Sequence, residues 1–96
     1  MNEENMARLL FTVEDRFLIQ GRGLVPVPGI TPVGNERFGI GDRLLLRKPD
    51  GTELNWKIGG IEMLNPPPKT FEVVILLKDL TKDDVPIGTE VWSVDS

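Results

Sequence analysis

Turn signals recur along this chain, many of them within a dozen residues of the next, and they leave little room for anything but short strands. Gly21 and Gly23, Pro26 and Pro28, Pro49-Asp50-Gly51, Gly59-Gly60, Asn65-Pro66-Pro67-Pro68 and Pro86-Ile87-Gly88 punctuate the sequence in turn. Between them lie apolar runs of a few residues, and no segment carries the 3.6-residue period of an amphipathic helix.

The runs predict six or seven short strands, and so a small closed barrel or a sandwich. The runs are Leu9 to Val13, Phe17 to Ile19, Leu24 to Pro28, Asp42 to Lys48, Glu53 to Leu64, Phe71 to Leu77 and Glu90 to Val94. Asp50-Gly51 between two of them is the strongest short hairpin signal available. In the fourth strand Leu44 and Leu46 face one way, with Arg43, Leu45 and Arg47 on the other face. Pro26 and Pro28 cannot donate to a ladder, so their strand needs an edge, a bulge or outward-pointing N–H positions. Gly29 to Gly41 reads as a long loop. In Lys78 to Val85 a single helical turn is expected, capped by Thr81 with Asp84 three residues on.

The fifth strand changes parity part-way. Leu54, Trp56 and Ile58 share one parity, Ile61 and Met63 the other. A β-bulge at Gly59-Gly60 restores one apolar face, with Glu62 pointing away from it. Trp56 and Trp92 take inward parity. Val74 and Leu76 take the outward parity of their strand, which leaves two expectations: cover by the Gly29–Gly41 loop, or a contact surface for another protein.

Composition narrows the function classes. Ninety-six residues make one domain, here 8–96 after a flexible leader 1–7. There is no cysteine and no histidine, which removes disulfides, thiolate metal sites, the usual general base and any Ser-His triad. Asp79, Asp83 and Asp84 lack the spacing of a calcium loop. No cofactor, metal or enzymatic activity is expected. The net charge of −4 argues against salt-driven binding to duplex DNA. The acidic N-terminus fits neither a signal peptide nor a membrane span, so a cytoplasmic location is expected.

Five stretches in order resemble one family. Phe11-Thr12-Val13-Glu14-Asp15-Arg16-Phe17-Leu18-Ile19-Gln20-Gly21-Arg22-Gly23 is similar to the opening of the second domain of elongation-factor-Tu-type translation GTPases. Phe38 to Leu44 looks like that domain's step into its third strand. Gly60-Ile61-Glu62-Met63 resembles its G-V/I-E-M segment, and Leu76 to Leu80 with Asp83-Asp84-Val85 and Ile87-Gly88 follows its approach to the last strand. The resemblance spans about residues 9 to 94. It implies an all-β fold, a small closed six-stranded Greek-key β-barrel, standing without the nucleotide-binding domain.

By the same resemblance, Glu14, Asp15, Phe17, Ile19 and Arg22 with Glu62 would hold the aminoacylated 3′ end of tRNA or similar single-stranded RNA. A carboxylate accepts from ribose hydroxyls and an aromatic ring stacks on a base. The plainer expectation makes Glu14-Asp15-Arg16 a solvated turn, Phe17 and Ile19 core, and Glu62 a partner of Arg22 or Lys57. The competing function is a protein-interaction or assembly module using Val74, Leu76 and the Gly29–Gly41 loop. The chain departs from the family at Leu24-Val25-Pro26-Val27-Pro28-Gly29, where its prolines replace a regular strand. Gly21 and Gly23 precede a strand rather than a helix, so they form no phosphate loop.

Overall fold

In a computed structural model, residues 6–62 and 72–95 are described. They form eight strands: β1 (Met6–Thr12), β2 (Asp15–Ile19), β3 (Gly23–Val27), β4 (Arg43–Arg47), β5 (Glu53–Lys57), β6 (Gly60–Glu62), β7 (Val74–Leu76) and β8 (Glu90–Val94). All ladders are antiparallel. The domain is all-β as expected. Its ladders, however, fall into three sheets, ordered β1-β8-β4-β5, β2-β3 and β6-β7, and not into one closed barrel. The expected strand Glu53 to Leu64 is two strands, because the chain leaves one sheet at Ile58 and enters another at Gly60.

The hairpin at Pro49-Asp50-Gly51 forms. Lys48 N–H donates to Thr52 O at 2.8 Å, Gly51 N–H to Lys48 O at 2.9 Å, and Gly51 takes φ 91°. Asp50 completes the turn by accepting from the Thr52 N–H and hydroxyl. Register then sends Leu44 and Leu46 inward opposite Trp56 and Leu54, while Arg43, Leu45 and Arg47 take the other face of the sheet, where Leu45 is still buried. Val91 of β8 completes this layer between Phe11 and Leu46. In β1 an irregularity between Leu9 and Phe11 turns both Leu10 and Phe11 into the core.

Trp92 corrects the inward expectation. It pairs with Leu9 and Leu45 on the outer face, half-buried, with the Arg47 guanidinium 5.8 Å over its ring. Its neighbour Val91 takes the core position. The smaller side chain fits between Phe11 and Leu46, and the larger ring gains a cation–π contact outside.

β3 and β7 meet at two points. Leu24 and Leu77 exchange backbone hydrogen bonds, and so do Ile30 and Val73. The two pairs lie six residues apart on one strand (24 to 30) but four on the other (77 to 73), so the chain from Val25 to Gly29 arches. Backbone donors alternate sides along a strand. Leu24, Pro26, Pro28 and Ile30 therefore share the side toward β7, and the two that do not bond are the prolines. The arch accommodates residues with no N–H to offer. At its ends stand Gly23 and Gly29, with φ of 144° and 105°. A Cβ there would lie 2.6 Å from Leu77 O or 2.8 Å from Val73 O.

The long loop is pinned by Arg8, which donates to both Glu36 oxygens at 2.6 and 2.8 Å and to Thr31 O at 3.1 Å. Glu36 also accepts from Val33 N–H at 3.0 Å. The Arg8 bond, then the Val33 bond, hold its carboxyl at about 2, below its usual 4.5. After the loop, Phe38 packs on the core. The expected turn is a single 3-10 turn at Lys82–Asp84, where the Thr81 N–H donates to Asp84 Oδ2 at 2.8 Å.

Gly23→Ala should lower stability by about 2 kcal/mol or more, since it combines left-handed backbone with a clash on Leu77 O. Gly39→Ala, which meets nothing within 4 Å and needs no positive φ, should be neutral or slightly stabilising. Urea denaturation measures both. Because the folded carboxyl of Glu36 is depressed, its contribution is complete above about pH 4.5 and is lost as pH falls toward 2. Glu36→Gln should therefore flatten the stability–pH profile in that window and leave the slope above pH 5 unchanged.

Candidate functional site

The bulge at Gly59-Gly60 organises the region. Gly59 N–H donates to Leu76 O at 2.8 Å while Gly60 is paired with the same Leu76, so two residues face one. The parity reset follows the sequence expectation. Ile58 is in the core, Ile61 stands opposite the core residue Ile75, and Glu62 stands opposite Val74 on the other face. Burial is where the outcome differs. Ile61 is 38% exposed at the end of its sheet, whereas the Glu62 side chain is only 11% exposed. Met63 and Phe71 lie outside the described residues.

Val74 and Leu76 do take the outward face, where β3 rather than the loop covers them. Each is 2% exposed, in a second apolar cluster with Val25 of β3, against which Ile19 and Val27 pack. The arch of β3 swings these side chains across β7. Val74 and Leu76 thus offer no surface to a partner, which corrects the interaction-surface expectation.

The six residues of the candidate RNA-end site divide. Asp15, Phe17 and Ile19 stand opposite Val27, Val25 and Gly23, and so share the outer face with Glu62. Between β2 and β6 lie β3 and β7, a span of about 14 Å at roughly 4.8 Å per strand. The floor between them is closed by the second cluster. Phe17 is half exposed at one side, and Ile19 is part of the packing. Glu14 and Asp15 are exposed, and Asp15 accepts from Arg16 N–H at 2.8 Å. Arg16 is not a solvated turn residue. Its Nε donates to Val85 O at 2.9 Å and ties β2 to the 3-10 turn.

Arg22 and Glu62 do come together. The guanidinium forms a close ion pair with Glu62 Oε2, and the N–H is not aligned for a hydrogen bond. That oxygen is otherwise buried without a partner among the described residues. The β-turn from Ile19 to Arg22 delivers the pairing, closed by Arg22 N–H to Ile19 O at 2.9 Å with Gly21 at φ 80°.

Arg22 also borders a shallow depression of about 530 Å³, lined with Ile40, Ile61, Gly59, Lys78 and Asp79. A second cavity of about 450 Å³ adjoins it and shares Gly59, Lys78 and Asp79. Arg43, Asn55, Trp56 and Lys57 form its other walls. Trp56 is half-buried against the core as expected, with Nε1 donating to Lys78 O at 3.0 Å. Four cations therefore surround two adjoining cavities, and among the described residues Asp79 is the only carboxylate in their walls.

No protein-family model, curated protein or solved structure matches the chain. Arg43, Lys57 and Lys78 were missed by sequence reasoning, because strand parity marks them simply as solvent-facing. The alternation that puts Arg43 and Lys57 on one face was legible. Their meeting with Lys78, more than twenty residues away, was not.

Arg22→Ala should destabilise the fold by on the order of 1–3 kcal/mol, because it leaves a buried carboxylate unpaired. Adding Glu62→Gln should recover a good part of that loss. Chemical denaturation of the two single variants and the double variant measures the coupling, and purely additive effects would show that the pair is not formed.

Proposed function

We propose that the chain is a non-catalytic binding module that holds an unpaired RNA end, such as the 3′ end of a tRNA, on a translation-factor-type barrel. The observation that carries the reading is the gathering of Arg22, Arg43, Lys57 and Lys78 around two adjoining cavities in a chain of net charge −4. Four cations in a groove beside an aromatic ring suit a short single strand, whereas a duplex needs a longer basic stripe.

Arg22 is the joint of the proposed site. Its side chain is 56% exposed and ends on Glu62. A phosphate arriving in the depression approaches the exposed side of the guanidinium while Glu62 keeps its ion pair. Phe17, half exposed on the same outer face as Glu62, is the farther aromatic contact.

The barrel part of the proposal rests on the course of the chain. β1 leads through Val13 into β2, and β5 leads through Ile58 into β6. Counting each bent pair as one strand makes six around a common core, with the β3–β7 bridges joining two of the sheets. A second reading, protein interaction, has one observation behind it. Among the described residues β5 is one of the two edges of the four-stranded sheet, β1 being the other, and a free edge can accept a peptide strand.

Titration of ¹⁵N-labelled protein with a CCA trinucleotide and with aminoacyl-adenosine tests the first reading. Shifts are expected at Arg22, Ile61, Glu62 and Lys78, weakening as salt rises, with no response to a short RNA duplex. Silence at these residues with millimolar ligand removes the reading. A response to duplex equal to that for CCA does the same.

A further inference from the structure

The cavity at the free edge of β5 has features that the Arg22 depression lacks. Arg43 and Lys57 stand directly opposite each other in the β4–β5 ladder. Like charges in that position repel and weaken the strand pair. Among the described residues neither is matched by a carboxylate. Acidic residues outnumber basic ones in this chain, 15 to 11, yet among the described residues none pairs with either of these two. A bound anion would relieve the repulsion.

Beside the two cations lies Trp56. Its indole N–H is already committed to Lys78 O, which holds the ring in place, so order need not be created on binding. Gly59 forms the adjacent wall with no side chain, and a Cβ there would meet Lys78 Cγ at 2.7 Å. The Lys78–Asp79 turn supplies a third cation and one carboxylate. Asp79 takes φ 66°, a conformation uncommon for a residue with a side chain. A volume of about 450 Å³ falls within the range of small-ligand sites.

We infer that this cavity takes one unstacked nucleotide, its base against Trp56 and its phosphate between Arg43 and Lys57. The inference rests on the RNA-end reading and adds to it a second nucleotide position, one cavity along from Arg22. Asp79 accepts from an exocyclic amino group of the base, and Lys78 lies between the two positions. The nucleotide is either the end of a strand or a free mononucleotide, since both present a base and a phosphate.

The test uses the full chain and its two indole N–H signals, from Trp56 and Trp92, assigned with Trp92→Phe. The ligands are AMP, 5′-phosphorylated CCA and adenosine. AMP and phosphorylated CCA should move the Trp56 signal and leave Trp92 in place, and adenosine should bind about fivefold or more weakly. Lys57→Gln should weaken AMP about five- to tenfold while leaving the urea midpoint unchanged or raising it, because it also removes a like-charge pair. A merely structural lysine would not give that combination. Phosphorylated CCA binding at least tenfold tighter than AMP assigns the site to strand ends, and equal affinities assign it to mononucleotides. If CCA shifts Arg22 and Ile61 while the Trp56 signal stays fixed, the Trp56 position is overturned and the RNA-end reading stands. If nothing responds, both fall.

Discussion

The seam between β3 and β7 carries the architecture. Two pairs of backbone hydrogen bonds, Leu24 with Leu77 and Ile30 with Val73, hold the arched strand against the straight one. Each is worth about 1 kcal/mol net, but their placement decides more than their strength. They bring Leu24, Ile30 and Leu77 into the main core and lay Val25 and Val27 over Val74 and Leu76. Gly23 and Gly29 make this approach feasible, since any side chain would strike the opposing carbonyl. Without the seam, the outward face of β7 would be an exposed apolar strand.

The same geometry sorts the charges. Burying the outer face of β7 leaves Glu62 beside an apolar cluster, where an ionised carboxylate must find a partner. The tight turn at Gly21 supplies one in Arg22. Arg8 and Glu36 act differently: their bidentate pair is partly exposed and fastens a long loop through geometry. Three cations outside the ion pairs of the described residues, Arg43, Lys57 and Lys78, border one cavity beside β5 at the edge of its sheet.

Individual residues show how far the sequence was legible. Asp50-Gly51 predicts its hairpin because a positive φ is needed locally and glycine provides it. Gly59-Gly60 reveals the bulge, since the apolar parity on either side is inconsistent without it. Thr81 and Asp84 announce a turn through a contact three residues long. By contrast, the inward Trp92 was wrong, because either parity of Glu90 to Val94 buries something apolar and only the neighbours Phe11 and Leu46 choose Val91. Val74 and Leu76 meet neither expectation, loop cover or contact surface, because the path of a strand with two prolines follows from what it packs against.

The sequence by itself determined an all-β chain, most strand positions, the turns, and the pairing of Glu62 with Arg22 as one of two choices. These depend on contacts within a few residues or on period-two alternation, which are local properties. Only the tertiary structure decided that the ladders divide into three sheets, that the arch of β3 closes the outer face, and that Trp56, Arg43, Lys57 and Lys78 share a cavity. Those outcomes join residues far apart in the chain, and no local preference of a single strand encodes which distant surface it will meet.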